Sequence, residues 1–252
     1  MSVQMWIGDV PEYSNERKAI VALARALDEL NDLYILLANF NISDAGAVDL
    51  AVLKQNGIFV VDLKHCEGKV VGGTNGDWRI VDSQGNLVKI LNPDRRNPYD
   101  QVIGYRYGLL DFLDQNKTQF LSRQKASQTD FRRIKCSVVI SPKLHPNSEI
   151  DTDWKVDVIG LDEVHQYLFN EMSRGIALTE SEMIAIPQLL NCEHWQEFDR
   201  LLRPIEMTEI PWESYLQALA EVKSVRQEQR WTFRIDKRNP QSLPSSTRRY
   251  SY

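Results

Sequence analysis

The chain has few cysteines, no long apolar run and no signal-peptide pattern. Its 252 residues include only three cysteines and four histidines, which are too few and too widely spaced for a disulfide framework or a structural zinc site. No stretch approaches the ~20 apolar residues of a membrane helix. Residues 1–10 also lack the charged and apolar regions of a signal peptide. We therefore expect a cytoplasmic protein with no membrane partner.

Several enzyme motifs are missing as well. The sequence has no Walker A loop, no G-x-S-x-G, no H-E-x-x-H and no kinase motif set. Its formal net charge of −5 excludes coating of nucleic acid over the whole surface, although a local basic path is enough for contacts with a phosphate backbone. A chain of this length can bury one good core and a small appended unit.

The chain does contain a hairpin that carries two acids and a lysine. Two runs rich in Val, Ile, Leu and Phe, residues 47–53 and 58–64, flank the dipeptide Asn56-Gly57. Asn-Gly is typical of tight hairpin turns because both residues accept positive φ angles. The pattern predicts two antiparallel strands.

Two registers are open for this hairpin. If Asn56 and Gly57 alone form the turn, Asp49 lies opposite Lys64. If residues 54–57 all loop out, Asp49 lies opposite Asp62. In both registers the period-two alternation of side chains places the two acids and the lysine on one face, with the neighbouring Val and Leu residues on the other.

Both faces are otherwise apolar, so these charges are expected to be buried. An unpaired buried carboxylate is costly, and two neighbouring carboxylates repel each other. A divalent cation resolves both problems, and Mg²⁺ takes carboxylate oxygens together with carbonyls such as that of Leu63. An Asp–Lys salt bridge at a strand end explains the pattern equally well.

Two more polar residues fall on the buried sides of predicted helices. Ser14 is the expected N-cap of one helix, and Glu16 lies on its apolar stripe, so it points inward. Asn97-Pro98 predicts the N-cap and first position of another helix, with Gln101 in its first turn. The simpler explanations are an acid favoured by the helix dipole and a capping or surface glutamine.

The order of these residues resembles the PD-(D/E)xK restriction-endonuclease-like superfamily and, more narrowly, the NERD (nuclease-related) domain. The resemblance covers residues 12–120 and depends on segments 14–16, 48–52, 56–64, 68–78 and 97–101. Asn15 stands where many NERD domains have glycine, which leaves Glu12, Asp28 and Glu29 as alternatives to Glu16. Asp62 stands where many have glutamate.

The resemblance implies an α/β fold with a restriction-endonuclease-like core, in which helices flank a mixed central β-sheet, and a C-terminal helical extension. It also implies a nuclease that uses Mg²⁺ or Mn²⁺ to hydrolyse phosphodiester bonds, with DNA as the favoured substrate. Lys64 would stabilise charge on the phosphate or position the nucleophile, and Gln101 would orient water or the backbone. The implied metal ligands are Glu16, Asp49, Asp62 and the carbonyl of Leu63. The alternative is a non-catalytic member of the same fold that binds nucleic acid or a protein.

The wider organisation follows from the same resemblance and from composition. We expect a nuclease domain over residues 1–175, a helical extension over 176–230 and a basic tail or linker over 231–252. NERD domains often occur fused to helicase or kinase modules, so the resemblance implies that this chain is the N-terminal module of a larger defence or DNA-processing protein, fused to or associated with a kinase or helicase module. Many nucleases of the superfamily form homodimers. The basic residues expected to contact nucleic acid are Arg95, Arg96, Arg123, Lys125, Arg132 and Arg133.

Overall fold

Two β-sheets, with helices packed on the larger one, make up the fold. The computed structural model describes residues 3–11, 13–42, 46–81, 84–90 and 97–198. The strands are β1 (Val3–Ile7), β2 (Tyr34–Ile42), β3 (Gly46–Lys54), β4 (Gly57–His65), β5 (Lys69–Gly73), β6 (Arg79–Val81), β7 (Leu87–Lys89), β8 (Lys135–Ser141), β9 (Glu149–Asp151), β10 (Val156–Gly160) and β11 (Glu193–His194). The helices are α1 (Ser14–Asp28), α2 (Pro98–Phe120), α3 (Arg123–Gln128), α4 (Val164–Asn170) and α5 (Glu180–Leu189), with a 3₁₀ turn at Phe131–Arg133.

The larger sheet is mixed and has seven strands in the order β10-β8-β4-β3-β2-β1-β11. Its centre is the meander β2-β3-β4, in which neighbouring strands are antiparallel. On both sides of this meander the sheet continues with parallel pairs, β4 with β8 and β2 with β1. The predicted mixed α/β architecture is therefore confirmed.

Two apolar layers hold the helices against this sheet. On one face α2 and α5 pack over residues such as Leu53 and Val60. On the other face α1 and α4 pack over residues such as Val52 and Val61. Both faces of β3 and β4 are thus buried, as their nearly continuous apolar sequences predict.

The central hairpin forms in the second of the two predicted registers, but its loop is two residues long instead of four. Lys54 pairs with Gly57, so only Gln55 and Asn56 form the turn. Neither Asn56 nor Gly57 has a positive φ, so the expected turn chemistry is wrong. Glycine is needed at position 57 for space, because a Cβ there would lie 2.6 Å from the ring of Phe59. The register is the one that brings Asp49 beside Asp62.

The strict alternation predicted for β3 is also wrong at Asp49. Val48 packs in the α2 layer, whereas Leu50 packs in the α1 layer. The partner strand shows the same reversal at Asn39, which has a φ of 43°. Ladder pairs surround these two residues but skip them. This irregularity turns Asp49 out of the regular sheet.

Local capping signals explain where the helices begin. The side chain of Asn97 accepts a hydrogen bond from the amide of Asp100, and Pro98 is the first helical residue of α2, as predicted. Ser14 is the first helical residue of α1 and not its cap, because Tyr13 occupies the N-cap position without a side-chain bond. The helix therefore depends on its buried apolar stripe more than on a cap.

The smaller sheet follows β4 in the chain and has the order β7-β6-β5-β9. Its inner face contributes Val70 and Ile80 to the α2 layer. Near the other end of the described chain, Met183 and Ile186 of α5 join the same layer, and β11 pairs with β1. Residues 199–252 lie outside the described residues, so the boundaries 1–175, 176–230 and 231–252 stay a prediction.

None of the helices in the described ranges is both long enough and apolar enough to span a bilayer.

Candidate active site

Strands β3 and β4 separate at the point where the predicted acids lie. Their ladder ends at the pair Leu50–Val61, while β4 continues beside β8 as far as His65. In the gap, the side chain of Asp49 takes the place of a backbone partner, since its Oδ2 accepts a hydrogen bond of 2.8 Å from the amide of Leu63. The separation opens the sheet and exposes polar groups of both strands.

Asp62 is the buried anchor of this region. Its side chain is 0% exposed, and its Oδ1 accepts a hydrogen bond of 2.6 Å from the ammonium of Lys64. Its Oδ2 has no hydrogen-bond partner among the described residues. A buried carboxylate oxygen without a partner is costly, so this atom is available to bind a water or a cation.

Helix α2 adds an amide and a phenol to the site. Lys64 Nζ lies 3.4 Å from Oε1 of Gln101, and Nε2 of Gln101 donates to the hydroxyl of Tyr105. Gln101 is only 5% exposed, so it is not the surface glutamine of the simpler explanation. Tyr105 lies one helical turn after Gln101 and fixes the orientation of its amide. Tyr105 was missed as a site residue in the sequence, although its spacing of four residues from Gln101 is a usable signal.

These side chains surround a cavity of about 1050 Å³. Glu16 reaches it from α1, as its position on the apolar stripe predicts. Asp62 is buried behind the cavity wall, under Lys64. The predicted site residues that line the cavity are Glu16, Asp49, Leu63, Lys64 and Gln101.

The charges perturb one another strongly. Burial raises the pKa of Asp49 well above its ordinary value, and repulsion by Asp62 and Glu16 adds to this rise, while Lys64 and the amide of Leu63 oppose it. Burial lowers the pKa of Lys64, but the carboxylates of Asp62 and Asp49 outweigh burial and the net pKa is raised. Lys64 is therefore a cation at neutral pH, and its single charge faces a cluster of three carboxyl groups, those of Asp62, Asp49 and Glu16.

The donor set fits a hard divalent cation. The described residues hold no group of three or more His, Cys, Asp or Glu side chains arranged around one metal position, which argues against a zinc-type site. Mg²⁺ commonly uses only one or two protein carboxylates and completes its shell with waters and phosphate oxygens. The partnerless Oδ2 of Asp62 and the crowded carboxylate of Asp49 suit that requirement.

Comparison with known proteins identifies the family. The model of the nuclease-related domain, NERD, matches residues 12–141, just over half of the chain. The chain belongs to the NERD family. No curated protein and no solved structure matches it.

The NERD segment contains every predicted catalytic residue. It begins just before α1, which carries Glu16, and ends at the last residue of β8, the strand that pairs with the Asp62–His65 part of β4. The family match and the geometry thus select the same half of the chain. β1, β10 and the helices after residue 141 lie outside the NERD segment but complete the sheet and its layers.

The predicted basic contacts lie elsewhere. Arg95 and Arg96 lie outside the described residues. The others, Arg123, Lys125, Arg132 and Arg133, precede β8 at the end of the sheet opposite to the cavity. In β8, Ile140 pairs with Lys64 beside the cavity. Lys135, at the start of the same strand, lies about 17 Å from Ile140 at ~3.3 Å per residue.

Three of these four side chains are also paired with acids. Lys125 is bound to Glu182, and both Arg132 and Arg133 contact Asp130. Arg123 is exposed at the start of α3. Their role as nucleic-acid contacts stays a prediction, and it requires a substrate that follows the sheet from one end to the other.

One cysteine lines the cavity without chemical consequence. Cys66 follows Lys64 by two residues, and burial raises the pKa of its thiol to about 11. The thiol is therefore protonated at neutral pH and is a poor nucleophile.

Proposed function

We propose that this NERD domain is a Mg²⁺-dependent nuclease that hydrolyses phosphodiester bonds of DNA. One observation carries the proposal: the buried carboxylate of Asp62 has an oxygen without a partner, directly behind a cavity whose wall carries Asp49 and Lys64. Such a site binds a hard cation and, beside it, a phosphate. Family membership supports a nuclease-related activity.

When bound, Mg²⁺ polarises the phosphate as a Lewis acid and lowers the pKa of the attacking water. The proposed direct protein ligands are Asp49, Asp62 and the carbonyl of Leu63, and Glu16 is proposed to reach the ion through water. Mn²⁺ has similar ligand preferences and is the second cation to test.

Lys64 is proposed to stabilise negative charge on the phosphate in the transition state. Its raised pKa keeps the ammonium protonated, so Lys64 acts as a positive charge and does not serve as the general base. Its ammonium already lies between Asp62 and Gln101 on the cavity wall. A preorganised cation at this position lowers the barrier most when charge builds up on the scissile phosphate.

Gln101 is proposed to orient the attacking water. Its amide nitrogen is bound to Tyr105, so its oxygen is held toward Lys64 and the cavity. An acceptor held rigidly in this position can fix one hydrogen of a water that attacks phosphorus while the bond to the leaving oxygen breaks.

The test is cleavage of plasmid and single-stranded DNA by the wild type, Asp62→Asn and Asp111→Asn. Asp111 is an exposed acid on α2 that does not line the cavity, so it is the matched control. The wild type and Asp111→Asn should cut DNA with Mg²⁺ or Mn²⁺ and not with EDTA. Asp62→Asn should lose at least about 100-fold of the rate, as expected when a metal ligand is removed.

Equal activity of Asp62→Asn and the wild type would refute the proposal. Binding of DNA by the wild type without any cleavage would instead favour the non-catalytic alternative.

A further inference from the structure

The cavity has a second wall, of which the proposed chemistry uses only Glu16. It is formed by the connection between β1 and α1 and by the end of β2, and it includes Val10, Tyr13, Asn15, Asn39 and Asn41. Two of these side chains are apolar and largely open to solvent: Tyr13 is 68% exposed and Val10 is 57% exposed. Two exposed apolar side chains at the rim of a cavity form a surface that is available for binding.

The charge of this wall disfavours a phosphate. Its ionisable members are the acids Asp9 and Glu16, whereas the lysines that line the cavity, Lys64 and Lys89, come from β4 and β7. A phosphate backbone is attracted to the lysines and repelled by the acids. The part of a nucleotide that fits the second wall is therefore its uncharged base.

The segment that carries Tyr13 is held firmly against β2. The amides of Gly8 and Asp9 donate to the carbonyls of Ala38 and Asn39, which prolongs the pairing of β1. The contact is so close that a Cβ on Gly8 would lie 2.7 Å from the carbonyl oxygen of Asn39. The backbone of Tyr13 itself is held by α1, since the amide of Arg17 donates to the carbonyl of Tyr13, and a fixed backbone lowers the ordering cost of stacking.

Two further contacts hold the same segment. The side-chain amide of Asn39 donates to the carbonyl of Asp9, and that of Asn41 donates to the carboxylate of Asp9. Beyond Asp9, the guanidinium of Arg17 donates to the carbonyl of Pro11. Backbone contacts to β2 and a side-chain contact from α1 therefore hold the approach to Tyr13.

We propose that Tyr13 is a stacking platform for an unpaired nucleobase next to the scissile phosphate, so that the substrate is single-stranded DNA or a frayed end. A base inside a duplex is stacked on its neighbours and has no free face for Tyr13. Stacking tolerates any base, so the subsite selects the state of the strand and not its sequence. This inference builds on the proposed nuclease function by defining its substrate.

Binding of fluorescent DNA to the full chain in EDTA tests the subsite without cleavage. The probes are an oligothymidylate of about 12 nucleotides, the same strand with single abasic sites, and a blunt hairpin duplex. Tyr13→Ala should weaken binding of the single strand by about 5- to 150-fold and leave the duplex unchanged, whereas Tyr13→Phe, which keeps the ring, should stay within about twofold of the wild type. Tyr107→Ala is the matched control, because Tyr107 is 49% exposed on α2 and does not line the cavity.

The abasic strands separate stacking from a structural effect. One abasic position should weaken wild-type binding as much as Tyr13→Ala does, and Tyr13→Ala should lose nothing more with that strand. An unaltered far-ultraviolet circular dichroism spectrum and melting temperature would show that Tyr13→Ala is folded, as expected since Tyr13 makes no side-chain capping bond.

The subsite is overturned if Tyr13→Ala binds the single strand as the wild type does, if it loses single strand and duplex equally, or if the wild type binds no DNA. The proposed function fails separately. A chain that binds through Tyr13 but cuts nothing with Mg²⁺ keeps the subsite and refutes the nuclease, while a chain that cuts single strands equally well with Tyr13→Ala refutes only the subsite.

Discussion

Replacing Lys64 by methionine should destabilise the metal-free protein strongly. Lys64 is 11% exposed, and its partner Asp62 is fully buried at 2.6 Å, so solvent screens this pair very little. Methionine keeps most of the side-chain volume and leaves Asp62 as an uncompensated charge next to Asp49. Breaking a buried ion pair in this way costs about 3–5 kcal/mol.

The assay is urea unfolding in EDTA, followed by circular dichroism, with thermal melts as a second measure. For a domain of this size, that loss corresponds to a fall of roughly 6–20 °C in Tm at ~2–4 °C per kcal/mol. Lys117→Met is the matched control, because Lys117 forms a partly exposed pair with Asp114 on α2. Such a pair contributes only about 0.3–0.5 kcal/mol.

The double variant Asp62→Asn with Lys64→Met sharpens the test. It removes both charges, so it should recover most of the stability that Lys64→Met alone loses. Saturating Mg²⁺, at about 100 times its Kd, should add about 2.7 kcal/mol to the wild type and at least as much to Lys64→Met. The reasoning is refuted if Lys64→Met unfolds within about 1 kcal/mol of the wild type or if the double variant is less stable than Lys64→Met.

Two further predictions concern the same hairpin. Asp49→Asn should stabilise the protein in EDTA more at about pH 8 than at about pH 5. Because the pKa of Asp49 is raised in the folded state, the folded state holds a proton that the unfolded state has released. The folding stability of the wild type therefore falls as the pH rises from the ordinary pKa of Asp49 toward the raised one. Urea unfolding at both pH values measures this, and an equal effect at both would contradict it. Gly57→Ala should cost about 1–3 kcal/mol in the same assay because its Cβ would meet the Phe59 ring at 2.6 Å, and a neutral result would show that the ring moves aside freely.

Local signals predicted the parts of the site that depend on neighbouring residues. The apolar runs gave the hairpin, and the Asn97-Pro98 pair gave the start of α2. The helical phase of Glu16 and Gln101 placed both at the cavity. Each of these signals involves only a few neighbouring residues, so it can be recognised in a single sequence.

What the sequence did not reveal depends on contacts between distant segments. The reversal of faces at Asn39 and Asp49 lies where β3 separates from β4. The alternation of apolar and polar residues does not predict it. Parallel pairing of β4 with β8 joins segments about 76 positions apart, and no local pattern specifies such a pair. The position of Arg132 and Arg133 at the far end of the sheet follows from that pairing, so their distance from the site could not be predicted from the sequence.

The turn of the hairpin is held by a much later part of the chain. The carbonyls of Gln55 and Asn56 accept hydrogen bonds from the amides of Leu178 and Ser173, and Lys54 donates to the carbonyl of Phe169. During synthesis the two acid-bearing strands therefore emerge more than a hundred residues before the segment that clasps their closed end. A polypeptide cut after Ser141 would contain the whole family-matching region and yet lack this clasp. The hairpin that carries both acids is thus fixed at its closed end by later residues that do not line the cavity.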